Sequence, residues 1–528
     1  MKKIFLLLVL MALCLSDLFV LNAANKQSKV LLIPLDSRPP CLQFVQKIGQ
    51  IGQAQIVAPP DDLLGKFTIP GQCDKIIEWI NSLNLKEYDA MIVSMDMITY
   101  GSLVESRVLH VGAEKALQRL EVLRYIKKKA PNLPIYVESI VMRLAPTADG
   151  KNESYRVQLA EWAEISAETD DSSKARTAEL EKMIPANVLA DYKMTRERDL
   201  LINLKSIDLV QEGVIDYLIL GQDDSAPRGV HLADRTKLHD KVSQLNLSSR
   251  VSIQSGTDDV SMLLLAKAIT DHHQYVPGIK VVYDSESIIQ RVMPFEDEPL
   301  CKIVSDDIKS SGAKEVSEES DADLILYVFA SRHEKGAADA FATRIAKAVD
   351  KGLPVLVADI DPKGDVQGSD SAFSEALMAH QVFPRLYGYA SWNTASNTLG
   401  TVIPQGTVYA VAKKSLFKDK QAEKRIEIAN HWFKIHRVLD DFYFHNLVRA
   451  QVNQKYCKSG LSSIILSDED RSKAESFALQ LMQSHLDVFS SNYFNGEFGK
   501  SFNLRPNNLM ITLPWNRTFE AFVDFQLK

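Results

Sequence analysis

The chain has no excess of basic residues: 61 Lys and Arg stand against 68 Asp and Glu, a formal charge of −7 over 528 residues. Nucleic acid is therefore a poor fit as a partner, because neutralising a phosphate backbone needs a basic face. The missing motifs exclude more. No GxSxG follows any strand-like run, which argues against a serine hydrolase built on a nucleophile elbow. Neither a P-loop nor a GxGxxG is present, so the usual cradles of nucleotide and dinucleotide phosphates are lacking. HExxH is absent too, and His272 and His273, adjacent on a predicted helix, face different ways and make a poor metal pair. Cysteine is scarce. Cys41, Cys73, Cys301 and Cys457 are separated by 32 to 228 residues, which matches no metal knuckle and no CxxC motif. An oxidising compartment would permit a Cys41–Cys73 bridge, but buried free thiols are the simpler reading.

The N-terminus is the exception to an otherwise soluble pattern. Lys2 and Lys3 precede an apolar run over residues 4–15, a polar break at Ser16 and Asp17, and the small residues Ala23 and Ala24. Basic head, apolar middle and small-residue tail predict a signal peptide over residues 1–24 and an exported protein, periplasmic or at the cell surface. A membrane anchor would need about 20 uninterrupted apolar residues, and Asp17 breaks this one. A lipoprotein acylated at Cys14 is the second choice, because Leu13 is bulkier than such a cleavage site accepts. No later segment is apolar enough to span a bilayer, so no membrane span is expected in the mature chain.

With 46% hydrophobic and 24% charged residues, the chain has ample material for a core, and its length predicts two or three domains. Short runs rich in β-branched residues recur at 30–35, 55–58, 90–95, 135–141, 217–220, 251–254, 280–283, 324–329, 355–358 and 386–390. They are nearly continuous apolar runs, as strands covered by helices on both faces should be, and stretches of helical period separate them. This alternation predicts an α/β protein with parallel sheets in two Rossmann-like, doubly wound units. The first unit spans 27–275, with a charged helical insertion at 150–212, and the second spans 276–415. A mainly helical region follows over 416–528, with helices at 431–449 and 468–489 and one late strand at 509–513. A (β/α)8 barrel closed by the first eight strands, plus a second α/β domain, is the alternative.

In parallel α/β proteins, ligands bind beyond the carboxyl ends of the strands, and these ends are rich in acids here. The first strand runs into Asp36-Ser37-Arg38-Pro39-Pro40, the third into Asp96, and the fourth carries Glu138 with Arg143 beyond it. The fifth leads into Gly221-Gln222-Asp223-Asp224, the sixth into Asp258-Asp259, and the tenth into Trp392-Asn393 and Asn397. Some of these have plain structural explanations. Asp258 and Asp259 stand where an N-cap would, and Asp361 before Pro362 and Asp62 in a proline loop suit turns. Asp36 is harder to dismiss, since two prolines and Arg38 form a stiff loop. The adjacent pair Asp223 and Asp224 is the strongest element, because two carboxyls in different environments can divide acid and base roles. Asp223 and Asp224 are thus the candidate catalytic residues, with Asp224 as general acid and Asp223 as orienting carboxylate. Asp36, Arg38, Asp96, Trp392, Asn393 and Asn397 are the candidate substrate-binding residues, Trp392 as a platform for a sugar ring.

The segments PLDSRPP, VSMDMITYGSLVESR, VMRLAPT, LGQDDSAPRGVH, GTDDVSMLLLA, PFEDEP and GYASWNTASNTLGT resemble a bacterial family of unknown function over residues 28–450. The resemblance implies that these loops belong to one shared site and supplies no activity. A looser likeness is to substrate-assisted β-N-acetylhexosaminidases, in which an Asp-Asp pair follows one barrel strand and an Asn near a Trp follows a later one. Asp223, Asp224, Trp392 and Asn393 look like such a set. The expected function is an exported hydrolase acting on glycosidic bonds of a small or oligosaccharide substrate, without a cofactor. The alternatives are a hydrolase with a hard divalent cation held by Asp36, Asp96 and Asp223, and a periplasmic sugar-binding protein.

Overall fold

The computed structural model describes residues 27–365, 367–457, 465–493 and 504–528. The predicted signal peptide, with Cys14, lies outside the described residues. Six strands form the first sheet: β1 (Ser28–Ile33), β2 (Ala54–Val57), β3 (Ala90–Ser94), β4 (Ile135–Val141), β5 (Tyr217–Gln222) and β6 (Val251–Ser255). They are all parallel, in the order β2-β1-β3-β4-β5-β6. The second sheet holds β7 (Gly278–Tyr283), β8 (Lys314–Glu315), β9 (Leu324–Phe329), β10 (Val355–Asp359) and β11 (Gly388–Ala390). It too is parallel, ordered β11-β10-β9-β7-β8. Each sheet therefore reverses direction next to its own first strand, the doubly wound order of flavodoxin-like proteins.

Neither sheet closes on itself, so the barrel alternative is not the fold: β2 and β6 are open edges of the first sheet. The strands form where the aliphatic runs predict. β3, β4, β5 and β9 are buried along their whole length, which is why no polar alternation marks them. β8 gave no signal because it is two exposed polar residues.

One helix joins the two sheets. Ala395–Ser415 is buried from Ala395 to Ala412, and a helix without a polar face can only be a core element. It packs against the Val260–His273 helix of the first unit and against β10 and β11 of the second. As a result one hydrophobic core runs from Val30, Leu32 and Ile219 through Leu263 and Val402 to Leu326 and Leu356. Between β4 and β5 the insertion forms three helices, Arg156–Ile165, Asp171–Met183 and Ala186–Gln211. Leu159, Trp162, Leu180 and Tyr192 give it a small core of its own.

After Lys420–Val438 the chain continues as a ten-residue π-helix, Leu439–Val448, and then as Arg449–Tyr456 and Asp468–Tyr493. The predicted late strand is β12 (Pro506–Thr512), which pairs antiparallel with a second strand the sequence did not disclose, β13 (Phe522–Leu527). Cys41 and Cys73 are buried free thiols, and burial lifts the Cys73 thiol to about 11. Among the described residues no helix is long and apolar enough to cross a membrane.

Candidate functional site

The carboxyl ends of both sheets open onto a common cleft of about 360 Å³. Its walls are segments that follow β1, β3, β4, β5 and β6 of the first sheet and β7, β10 and β11 of the second. This is where a doubly wound fold leaves loops and helix starts free to face a ligand.

Six arginines line the cleft: Arg38, Arg107, Arg143, Arg156, Arg449 and Arg517. Arg38 leaves β1 through the proline loop and is gripped on both sides. Its Nε and Nη2 donate to Asp36 at 2.7–3.0 Å, and Nη1 and Nη2 donate to Asp258 at 2.8 and 2.6 Å. Arg107 donates from Nε and Nη2 to one oxygen of Asp223, at 2.9 and 2.6 Å. Arg143 reaches Asp224 at 2.5 Å.

Asp223 and Asp224 both face the cleft, with different environments. Burial alone would raise Asp223, but the guanidiniums of Arg107 and Arg143 outweigh it and hold this carboxyl below its ordinary value. Its other oxygen accepts the backbone N–H of Asp224 at 2.9 Å, so both oxygens are engaged. Asp224 is more open, with 31% of its side chain exposed toward the cleft. Burial among protein groups raises it, Arg143 pulls it back, and the neighbouring charge of Asp223 adds to the rise.

A third carboxyl joins them. Glu296, in the loop after β7, is 2% exposed and lines the same cleft. Burial pushes it up to about 7, the nearby charge of Asp224 adds to this, and the Ser396 backbone N–H, donating at 3.0 Å, works against it. No ion pair to Glu296 exists among the described residues. PFEDEP is among the segments that the family resemblance implies to share one site, but nothing local separates Glu296 from its acidic neighbours.

Next to it stands Phe295, with a backbone φ of 67°, a residue 49% exposed and lining the cleft. A bulky residue rarely holds a positive φ, so surrounding structure must enforce this conformation. The Ser225 N–H donates to the Phe295 carbonyl at 2.9 Å and ties the loop to the Asp223–Asp224 segment. The loop of the C-terminal hairpin, residues 513–521, adds Trp515, Arg517 and Phe519. Trp515 donates from Nε1 to Ser37 at 3.2 Å, and the Arg38 guanidinium sits 4.8 Å from its ring centre. These residues lie almost 500 positions from the loop they complete, and no sequence spacing could have joined them.

Of the predicted binding residues, Arg38, Asn393 and Asn397 line the cleft. Asn393 has a φ of 56°, a left-handed position that Asn tolerates, and its side chain donates to Asn397 at 2.9 Å. Three others do not line it. Asp36 is fully buried behind Arg38, which it orients. Asp96 lies deeper, accepting the Ile140 N–H at 3.0 Å near Asp199 and Arg198, and burial raises it to about 8. Trp392 is a core residue: it donates to Thr401 at 3.0 Å and meets Phe44 edge-on at 6.1 Å, so its ring offers no platform to the cleft. Phe295 takes the exposed aromatic position instead.

The residues set aside as caps also divide. Asp258 is not a helix cap but the second carboxylate on Arg38, in the cleft wall. Asp259 stands at the N-cap position yet makes no capping bond, accepting instead the Thr257 N–H at 3.0 Å. Asp361 accepts the Lys363 N–H at 2.9 Å, as a turn residue should. On the second sheet, Asp359 is spent internally on Arg332, Ser391 and the Asp370 N–H. Asp36, Asp96 and Asp223 are held apart by different partners. Among the described residues no group of three or more His, Cys, Asp or Glu side chains could hold a metal ion.

Comparison with known proteins adds a family and no activity. No curated protein sequence matches the chain. Among solved structures, it is similar to the carboxyl transferase domain of Rhizobium etli pyruvate carboxylase with pyruvate, at 12% identity and a TM-score of 0.19. That match covers 89% of this chain and 66% of the other. The complete multifunctional pyruvate carboxylase of Rhizobium etli is matched at 10% identity and a TM-score of 0.19, over 88% of this chain and 36% of that one. The chain thus spans less than two thirds of these structures, and at such TM-scores neither lends it a fold or an activity. Residues 30–524 match a protein family described as "Protein of unknown function (DUF4127)", and the chain belongs to that family.

Proposed function

We propose that this is an exported hydrolase of glycosidic bonds, with Glu296 and Asp224 as its acid–base pair. The observation that supports the reading most is the meeting of three carboxyls with different proton affinities in one cleft, beside an exposed aromatic ring. Carboxyls whose environments separate their pKa values are what acid and base assignments require. Among the described residues Glu296 has no cationic partner and burial lifts it to about 7, whereas Arg143 counters the rise that burial gives Asp224. Glu296 then gives its proton to the departing glycosidic oxygen while Asp224 takes one from the water that attacks the anomeric carbon. Asp223, locked by Arg107 and by the Asp224 backbone, holds the loop in place. Phe295 offers its face to a sugar ring, and Asn393 and Asn397 offer amide groups to hydroxyls. This scheme draws every group from the chain and calls for no cofactor.

The likeness to β-N-acetylhexosaminidases supports a saccharide substrate through Asp223, Asp224 and Asn393, but Trp392 drops out of the matching set. Hydrolysis of a broad glycoside library by the wild type and by Asp224→Asn tests the reading. Loss of the carboxylate should reduce turnover by roughly 10²–10⁴-fold with ligand binding retained. Equal turnover by the variant, or ligand-induced thermal stabilisation with no product from any member, would overturn it. The second result would favour a sugar-binding protein.

A further inference from the structure

Four of the six cleft arginines are spent on carboxylates of the chain: Arg38 on Asp36 and Asp258, Arg107 on Asp223, Arg143 on Asp224, and Arg517 on Glu520. Arg156 and Arg449 are different. Among the described residues neither has a carboxylate within ion-pair distance, and the Nε of each, like that of Arg143, is buried without a hydrogen-bond partner. They reach the cleft from unrelated places, Arg156 from the first turn of the insertion helix and Arg449 from just beyond the π-helix. A buried donor without a partner is costly, and a guanidinium offers a planar fork that fits a carboxylate or a sulfate.

The surroundings sharpen this. Burial and the neighbouring Arg143 both work against the charge on Arg156, and Glu153 offsets them only in part. Arg449 is lowered to about 10, chiefly by burial, and Arg517 adds to that while Glu520 opposes it. One face of the Arg449 guanidinium is covered by Phe519, whose ring centre lies 5.5 Å away. Two positive groups thus keep a buried donor unused, with no carboxylate in ion-pair reach among the described residues, in the cavity that contains the proposed reacting carboxyls.

We infer that the substrate of this cleft is an anionic saccharide, a sugar bearing carboxylates or sulfate esters, whose charged groups are met by Arg156 and by Arg449. The inference rests on the glycosidic reading of the site and adds the charge of the ligand to it. A neutral sugar would leave both guanidiniums desolvated and unpaired, so the site discriminates against it as polar sites do when a partner is missing.

Matched pairs of disaccharides provide the test: uronic-acid disaccharides against their methyl esters, and sulfated disaccharides against their unsulfated counterparts. Binding by calorimetry and product formation are measured for the wild type and for Arg156→Gln/Arg449→Gln. At least one anionic member should bind about tenfold or more tightly than its neutral counterpart, and the double variant should lose that preference. The uronate and sulfate arms identify which anion is recognised. Equal affinity within every pair, no binding of any anionic member, or a preference that survives the double substitution would overturn the inference. The two readings separate cleanly. Anion-selective binding without product sinks the hydrolase and spares the anion site, whereas cleavage of neutral and anionic members alike does the reverse.

Discussion

At the scale of single residues, what decides a strand-end acid is the partner it meets. Asp36, Asp258 and Asp223 all end on arginines, and only their positions relative to the cleft separate a supporting carboxylate from a lining one. Asp96 shows the third outcome, a carboxyl buried away from the cleft whose proton affinity is raised to about 8 from an ordinary value of 3.8. Such a group favours the folded state while protonated, so its contribution is full below about pH 3.8 and disappears as the pH rises through about 8. Asp199, Arg198, Ser106 and the Ile140 N–H surround it, and Asp199 titrates at about 6 in the same window. Asp96→Asn keeps an acceptor for Ile140 and removes only the Asp96 titration. Melting temperatures should therefore fall less steeply between pH 4 and 8 in the variant than in the wild type, and parallel curves would contradict this placement. Residue-level chemistry was only half legible in the sequence. Asp223, Asp224, Arg38 and Asn393 stand at strand ends and could be found by rule, but Asp258 carries the same local signature as a helix cap. Glu296, Arg156 and Arg449 carry none, because what marks them is an environment assembled from distant segments.

Among the elements, the helix Ala395–Ser415 governs how the two sheets meet. Gly400 gives the closest approach: a Cβ placed there would lie 2.0 Å from Oδ2 of Asp259 and 2.6 Å from its Cβ. Replacing a helical Gly by Ala ordinarily stabilises by roughly 0.5–1 kcal/mol. Here the methyl group must push the buried Asp259 and the 256–258 loop, at a cost of about 1–3 kcal/mol. Gly400→Ala should accordingly shift the denaturant midpoint downward, and an upward shift would show that the helix does not press on this loop. The regular elements were the most readable part of the chain, since aliphatic runs such as Leu324–Phe329 have no alternative to burial on both faces. β8 and β13 were not readable: the first is two exposed residues, and the second, Phe522–Leu527, alternates weakly at the end of an aromatic tail. The π-helix Leu439–Val448 has no sequence signature separate from that of an α-helix.

For the molecule as a whole, the continuous core from β1 to β10 predicts that the two sheets unfold together. Calorimetry of the full chain should give a single cooperative transition, whereas two resolved transitions would mean that the Ala395–Ser415 helix does not couple the sheets. The same arrangement sets the carboxyl edges of both sheets around one cleft, so the proposed acid, Glu296, and the proposed base, Asp224, come from different units. The central claim is that Glu296 supplies the proton to the leaving group. The most direct measurement is the pH dependence of kcat/KM for Glu296→Gln and the wild type, on substrates with poor and with activated leaving groups. For the poor leaving group, wild-type activity should fall as the pH rises through about 7, and the variant should be slower by roughly 10²–10⁴-fold. For the activated leaving group, which departs without a proton, the variant should retain most of its rate and lose the limb near pH 7. Equal losses on both substrates, or a limb that persists in Glu296→Gln, would contradict the assignment.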